Sequence, residues 1–154
     1  MSKPRSETLL VHATAVAIGG EAVLLRGASG CGKSDLALRL IDAGARLIAD
    51  DQSELSRRGD RVIVRAPATL AGLIEVRGIG IVRLDALAEA PVGLVVDLVA
   101  AEKVERMPGR RAETILGLVL PLIEMAPFDA SAAAKLRLAL RAFTAPGLSA
   151  ILLE

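Results

Sequence analysis

A glycine-rich segment that ends in a lysine and a serine points most directly to chemistry in this chain. Residues 27–34 read GASGCGKS and fit the phosphate-binding loop pattern G-x-x-x-x-G-K-[ST] without a mismatch. Glycines let the backbone curl so that successive N–H groups point at phosphate oxygens, and the helix that follows adds its positive dipole end. The pattern predicts that Lys33 contacts the outer phosphates and that the Ser34 hydroxyl is a magnesium ligand. A Gly/Ser-rich turn that matches by chance is the alternative. The predicted nucleotide-binding residues are Gly27, Ala28, Ser29, Gly30, Cys31, Gly32, Lys33 and Ser34.

Two adjacent carboxylates, Asp50 and Asp51, follow a short apolar segment that is predicted to be a strand. An open α/β sheet places its ligand crevice at the carboxyl ends of strands, so both acids are expected beside the loop. Adjacent strand residues point to opposite faces, and both acids reach one site only if the backbone turns immediately after the strand. One could hold Mg²⁺, directly or through water, and the other could accept a proton from a hydroxyl that attacks the γ-phosphate. A solvated strand-to-loop pair, with Asp50 capping a turn, is the alternative.

Three further residues are weaker candidates. Glu75 precedes Arg77 and a glycine pair, where a carboxylate could complete a metal shell, although a surface Glu and Arg at a strand end is equally consistent with the pattern. His12 is the only histidine and lies in a predicted strand, where a histidine usually has a structural role. Asp97 lies in an apolar strand and competes with Asp50 and Asp51 for the metal-holding role.

The composition limits the classes of function. A length of 154 residues predicts one domain over residues 1–154. A net charge of +1 and the lack of Trp and Tyr argue against a nucleic-acid partner. No apolar run reaches the roughly 18 residues of a membrane-spanning helix, so no membrane association is expected. The single Cys31 cannot form an internal disulfide, which favours a reducing cytoplasm. Lys3 and Arg5 before an apolar stretch resemble a signal peptide, but cleavage there would remove a strand needed by the loop.

The remaining pattern predicts alternating strands and helices. We predict strands over 12–18, 21–26, 45–49, 54–56, 61–65, 93–99 and 115–125, helices over 34–43 and 131–143, a helical turn over 67–73 and a mobile loop over 100–113. Gly19-Gly20 and the segment 57–60 are predicted turns, and Gly44 is predicted to end the first helix. The predicted fold class is α/β, with too many hairpins for a purely parallel sheet.

Three segments together carry a family resemblance: HAT fifteen residues before the loop, GASGCGKSDLALRLIDAGARLIADD, and EVRGIGIVRL. Over roughly residues 9–99 the chain resembles the catalytic domain of the HPr kinase/phosphorylases. The resemblance implies a phosphate-loop NTPase-like mixed β-sheet flanked by helices, similar also to phosphoenolpyruvate carboxykinase. It implies an ATP- and Mg²⁺-dependent kinase that phosphorylates a serine of the phosphocarrier protein HPr, and that can reverse the reaction by phosphorolysis. Such an enzyme regulates the sugar/nitrogen phosphotransferase system in the bacterial cytoplasm.

The same resemblance implies roles for individual residues. Lys33 would contact phosphate, Ser34 and Glu75 would hold Mg²⁺, with Asp50 as a further metal candidate. Asp51 would accept the serine proton and donate it in reverse, and His12 would lie beside the transferred group. HPr and ATP are the implied partners, and a homo-oligomer, a hexamer by resemblance, is implied for the assembly.

The sequence also departs from the family pattern. Longer relatives carry an N-terminal domain, which is expected to be absent here because the histidine is already residue 12. Phe128-Asp129-Ala130 stands where the family has a Gly-Arg-Asn element, and Arg110 or Arg111 is the candidate substitute for its arginine. Two other functions are consistent with the sequence: a phosphate-loop kinase for another acceptor, and a nucleotide-sensing module without phosphoryl transfer.

Overall fold

A curled β-sheet with two α-helices on one face forms the core of the protein. The computed structural model describes residues 7–144. Its strands are β1 (Thr8–Val11), β2 (Ala13–Ile18), β3 (Glu21–Arg26), β4 (Arg46–Ala49), β5 (Ser53–Arg58), β6 (Arg61–Arg65), β7 (Leu73–Val76), β8 (Gly80–Arg83), β9 (Glu89–Leu98), β10 (Arg111–Ile115) and β11 (Leu118–Met125). The helices are α1 (Lys33–Asp42) and α2 (Ala132–Thr144), and short 3₁₀ turns cover Ala68–Leu70 and Ala101–Lys103. Among these residues, no helix is long and apolar enough to cross a membrane.

The long strand β9 joins the antiparallel strands β1, β5 and β6 to the part of the sheet that contains β2, β3, β4 and β11. Its first residues pair antiparallel with β6, and its later residues run parallel to β3 on one side and to β11 on the other. The hairpin β2–β3 continues antiparallel to β4, and β5 links β6 to the edge strand β1. Strands β7 and β8 form a separate hairpin. The predicted mixed α/β fold is therefore confirmed.

Both faces of the central strands are covered. Leu36 and Leu40 of α1 pack with Val23 and Leu25 on one face, in a cluster that also includes residues of α2. On the other face Leu24 packs against apolar residues of β5 and β6, which the curl of the sheet brings over it. A strand that is buried on both faces needs apolar residues at every position, and this explains why β3 reads as an apolar run without alternation.

The phosphate loop joins β3 to α1, and the helix ends before Gly44, as predicted. Ala43 is the C-cap, and Gly44 follows with φ 111°, a left-handed conformation that glycine adopts without strain. Asp35 in the first turn forms an i,i+4 ion pair with Arg39 at 3.0 Å and is favourably placed near the positive end of the helix dipole. The end of the helix is thus determined by the residues directly after its last turn.

The C-terminal strands differ from the prediction. Residues 115–125 do not form one strand: β10 ends at Ile115, and Leu116 (φ 51°) and Gly117 (φ 80°) make the turn to β11. Two consecutive positive φ angles are typical of a tight hairpin turn, but a leucine at the first position concealed it within an apolar run. The predicted loop 100–113 contains a 3₁₀ turn, and its last residues belong to β10.

Smaller differences concern strand ends. The strand predicted over 93–99 begins earlier, at Glu89, because β6 extends the pairing on that side. Strand β1 was not predicted, and His12 lies in the bend between β1 and β2 rather than in a strand. Lys3 and Arg5, named in the signal-peptide alternative, lie outside the described residues. The single domain predicted over residues 1–154 also extends beyond the described range 7–144.

Candidate functional site

The phosphate loop lies at the carboxyl end of β3, where its glycines adopt conformations that other residues avoid. Gly30 and Gly32 have φ angles of 80° and 107°. A Cβ on Gly32 would lie 2.9 Å from the Phe128 ring and 3.1 Å from Pro127. The loop therefore needs glycine at position 32 both for its backbone conformation and for the space beside it.

Lys33 is almost completely buried, with 4% of its side chain exposed. Its Nζ donates hydrogen bonds to the carbonyl oxygens of Gly27 (2.8 Å) and Ala28 (3.2 Å), and lies 3.8 Å from Asp51 Oδ1. A buried ammonium group is costly unless polar partners surround it. Here the loop carbonyls and one carboxylate supply those partners and hold the positive charge at the mouth of the loop, where an anionic phosphate would be attracted.

Asp50 links three parts of the site through its side chain. Its Oδ1 accepts hydrogen bonds from the hydroxyls of Ser34 (2.6 Å) and Thr14 (3.1 Å), and its Oδ2 accepts one from the backbone N–H of Glu75 (2.9 Å). A carboxylate offers about four acceptor positions, so one stays available. Asp50 therefore orients the Ser34 hydroxyl and attaches the β7–β8 hairpin to the loop.

Asp51 turns out of the strand and faces the same site. Its φ is 65°, in the left-handed region, which is the immediate turn that the two adjacent acids require. Its carboxylate Oδ1 lies 2.5 Å from His12 Nε2, and its backbone N–H donates to the Thr14 hydroxyl at 3.0 Å. His12 and Asp51 are each about half exposed, at 47% and 55%. A reactive group could therefore approach Asp51 from solvent.

Thr14 is the site residue that sequence reasoning missed. It is fully buried on β2, and its hydroxyl donates to Asp50 and accepts from the Asp51 N–H. A hydroxyl residue in the middle of an apolar strand was the available signal, because a buried polar group needs a partner. Thr14 therefore sets the relative position of the two acids.

These groups border one cleft of about 480 Å³. Its lining contains Ser29, Gly30, Gly32, Lys33, Ser34, Asp35, Leu38, Asp50, Asp51, Glu75, Val76, Arg77 and Phe128. The structure thus brings together most of the predicted site residues, with His12 attached through Asp51. Of the predicted loop residues, Gly27 and Ala28 contribute carbonyls to Lys33, and Cys31 lines a neighbouring cavity.

The donors in the cleft fit a magnesium ion only if a ligand supplies further oxygens. Among residues 7–144, no group of three or more His, Cys, Asp or Glu could hold a metal ion. The Ser34 hydroxyl and the Asp50 carboxylate are adjacent oxygen donors of the kind that Mg²⁺ takes in nucleotide sites, where phosphates and waters complete its six positions. The Glu75 side chain is exposed at the edge of the cleft.

The competing metal candidate, Asp97, has another partner. Both of its carboxylate oxygens accept hydrogen bonds from Arg26, at 2.7 and 3.0 Å, and Arg26 also pairs with Glu113 at 2.6 Å. The hydrogen bond with Asp97 raises the pKa of Arg26 above its usual range, against the opposing effect of burial. Asp97 does not line the cleft, so the expectation that it competes for the metal is wrong. The pair instead ties the end of β3 to β9.

The candidate substitutes for the missing arginine do not line the cleft either. Arg111 forms ion pairs with Glu105 and Glu124, and Arg110 is not among the lining residues. The arginine that lines the cleft is Arg77, at the turn between β7 and β8.

Comparison with known proteins gives consistent matches. The family model described as the HPr serine kinase C-terminal domain matches residues 4–126. The HPr kinase/phosphorylase of Exiguobacterium sibiricum is 46% identical over 76 residues, which cover 49% of this chain and 24% of that protein. The HPr kinase/phosphorylase of Bordetella pertussis is 39% identical over 119 residues, which cover 70% of this chain and 39% of that protein. The chain thus spans about a quarter to two fifths of the length of these relatives.

A solved structure agrees with these matches. The Hpr(Ser) kinase/phosphatase from Coxiella burnetii superposes with a TM-score of 0.77 at 29% identity, and the match covers 86% of this chain and 94% of that chain.

Proposed function

The chain belongs to the HPr serine kinase C-terminal domain family, and on that premise we propose that it transfers the γ-phosphoryl group of ATP to a serine of HPr. The observation that carries the proposal is the convergence of Lys33, Ser34, Asp50 and Asp51 on one cleft at the mouth of a phosphate loop. Lys33 and Ser34 are the groups that bind a nucleotide and its metal ion, and Asp51 is the group that can take a proton from a hydroxyl acceptor. The curated relatives carry the name of this activity.

Phosphate binding is assigned to the loop and to Lys33. The buried ammonium group would exchange its carbonyl partners, Gly27 and Ala28, for phosphate oxygens, which are stronger acceptors because they are charged. Since the phosphates carry the negative charge in the transition state, a cation held rigidly beside them favours transfer.

The Ser34 hydroxyl and Asp50 are proposed to hold Mg²⁺ on the nucleotide, with Asp50 acting directly or through water and Glu75 on the open side. Mg²⁺ held by these residues would neutralise the negative charge that develops on the phosphates during transfer. The 2.6 Å hydrogen bond from Ser34 to Asp50 supports this role, because it keeps both oxygen donors together.

Asp51 is proposed as the proton acceptor. The serine oxygen of HPr forms a bond to the γ-phosphorus, the bond from that phosphorus to the bridging oxygen breaks, and ADP leaves. The serine proton passes to a carboxylate oxygen of Asp51. His12, 2.5 Å from that carboxylate, orients it. The half-exposed position of Asp51 supports access by a serine on the surface of another protein.

The same groups would also catalyse a second reaction, the phosphorolysis of phosphorylated HPr. An oxygen of inorganic phosphate would attack the phosphorus of phosphoserine, and the serine oxygen–phosphorus bond would break as pyrophosphate forms. Asp51, which would start this reaction protonated, would give its proton to the departing serine oxygen. The names of the curated relatives, which include phosphorylase, favour this second activity. Formation of pyrophosphate from phosphorylated HPr and inorganic phosphate is the measurement that tests it.

A transfer assay tests the main proposal. The purified chain is incubated with ATP labelled on the γ-phosphate, Mg²⁺ and HPr, and the labelled residue is located by mass spectrometry. We expect label on an HPr serine, and none on HPr whose acceptor serine is replaced by alanine or on an unrelated serine-rich protein. Nucleotide binding without transfer to HPr would refute the proposal and favour a nucleotide-sensing module, whereas transfer to another protein alone would favour a kinase with a different acceptor.

Location and assembly stay predictions. A cytoplasmic location is tested by cell fractionation, and a homo-oligomer, a hexamer by resemblance, by the mass of the purified protein in solution.

A further inference from the structure

A second cavity lies beside the phosphate loop, away from the two acids. It has a volume of about 310 Å³, and its wall includes Cys31 of the loop, Leu98 at the end of β9 with Ala100 just after it, and Ala126 and Phe128 after β11. We propose that this cavity takes the purine base of ATP, with Phe128 as the surface against which the base stacks. This inference rests on the proposed function, since it concerns the same nucleotide.

The order of the strands supports this direction of binding. Within the sheet, β3 carries the phosphate loop, β2 and β4 lie on one side of it, and β9 and β11 lie on the other. Asp50 and Asp51 follow β4, and the second cavity lies after β9 and β11. If the terminal phosphate of a triphosphate lies beside Asp51, its nucleoside end points away from β4. The second cavity lies in that direction.

The two spaces share Phe128. Its side chain lines both the cleft and the second cavity, and its ring lies over Gly32 of the loop. A nucleotide that occupies both spaces therefore passes this ring. Continuity between the phosphate site and an apolar cavity is the arrangement that a nucleotide needs, because its two ends differ in polarity.

The chemistry of the wall matches a flat, weakly polar ring. Apart from Asp129, the side chains on the cavity wall are uncharged, and Phe128 is 69% exposed. The chain contains two phenylalanines and neither Trp nor Tyr. Phe143 packs against the core on the helix face, so Phe128 is the aromatic side chain left at the surface. Exposing it in water has a cost that a stacked base would remove.

The test separates the base from the phosphates. Binding of ATP and of inorganic tripolyphosphate, each with Mg²⁺, is measured by calorimetry for the wild type and for three variants. Phe128→Ala removes the aromatic face and Phe128→Tyr keeps it. Val119→Ala, on β11 and 71% exposed, is the matched control for trimming an exposed apolar side chain.

We expect Phe128→Ala to weaken ATP binding by at least about fivefold, the lower end of the range for base–aromatic stacking. Tripolyphosphate binding should change less than about twofold, since it has no base. Phe128→Tyr should bind ATP like the wild type, and Val119→Ala should change neither ligand.

Two results overturn the inference. If Phe128→Ala weakens ATP and tripolyphosphate equally, the ring supports the loop and not the base. If it changes neither, the base binds elsewhere. Both results leave the proposed kinase function standing, because HPr phosphorylation is measured separately. Failure of the wild type to bind ATP at all would refute both the inference and the proposed function.

Discussion

Replacing Thr14 with valine tests how the two acids are held. The side chains have nearly the same shape, but Thr14→Val removes a hydrogen bond to the Asp50 carboxylate (3.1 Å) and leaves the Asp51 N–H without its acceptor (3.0 Å). Thr14 is fully buried, so the methyl group of valine fills the place of the hydroxyl and leaves no room there for a replacing water. A bond to a charged group is worth about 1.5–3 kcal/mol and a neutral one about 1 kcal/mol, partly offset by burial of a methyl group. We expect a loss of about 2 kcal/mol in the free energy of unfolding.

Urea unfolding followed by circular dichroism measures this loss. A decrease of about 2 kcal/mol lowers the midpoint by roughly 1 M, since the slope for a domain of this size is about 1–3 kcal/mol/M. The rate of HPr phosphorylation at saturating ATP should fall as well, because Asp51 loses the contact that sets its backbone. Thr14→Ser keeps the hydroxyl and should retain the rate, despite a cost of about 1 kcal/mol for the lost methyl group.

A control separates a general loss of stability from a loss of site geometry. Val62→Ala, in the core cluster on the face away from the helices, should destabilise the fold by about 2 kcal/mol yet leave transfer unchanged under conditions where the protein stays folded. Unaltered stability and unaltered transfer in Thr14→Val would refute the reasoning that this hydroxyl positions the acids.

Three other predictions concern the loop and its supports. Gly32→Ala forces a side chain into the left-handed region and against Phe128, and should abolish ATP binding in calorimetry while destabilising the fold by about 1–3 kcal/mol; retained affinity would contradict the close fit of the loop. Arg26→Met leaves the carboxylates of Asp97 and Glu113 without their shared cation, and should lower the free energy of unfolding, measured in urea, by about 2 kcal/mol. The double variant with Asp97→Asn should recover part of that loss, and an equal or larger loss would argue against the pairing. Removal of Mg²⁺ by chelation should weaken ATP binding in the wild type but have little further effect in Ser34→Ala, and an equal effect in both would argue against Ser34 as a metal ligand.

The sequence predicted the parts of the fold that local patterns determine. The loop, the end of α1 at Gly44 and the hairpin around Gly19-Gly20 each follow from residue types that allow few other backbone conformations. The hairpin turn at Leu116 was missed because a leucine with positive φ is uncommon and no local pattern indicates it. Contacts with other parts of the sheet hold it there: the pairing of β10 with β11, and a hydrogen bond from Arg57 to the Leu116 carbonyl oxygen (3.1 Å).

The site divides in a similar way. The grouping of Lys33 and Ser34 could be predicted because both lie in one motif. The approach of His12 and Thr14 to the acids depends on the pairing of β2 with β4, which the residue pattern does not encode. For His12 the family resemblance alone implied a place at the site, and for Thr14 nothing did. The pairing of Asp97 with Arg26 was equally inaccessible, because these residues lie on adjacent strands far apart in sequence.

Substitution of Asp51 by asparagine tests the central claim most directly. Asp51→Asn keeps the size of the side chain but removes the proton acceptor, and Asp60→Asn, on the exposed turn between β5 and β6, is the matched control. In the HPr phosphorylation assay with calorimetry of ATP binding, we predict that Asp51→Asn lowers the transfer rate by at least about 100-fold. Its affinity for ATP should stay within about threefold of the wild type, and Asp60→Asn should change neither quantity. Transfer by Asp51→Asn at the wild-type rate would contradict the claim.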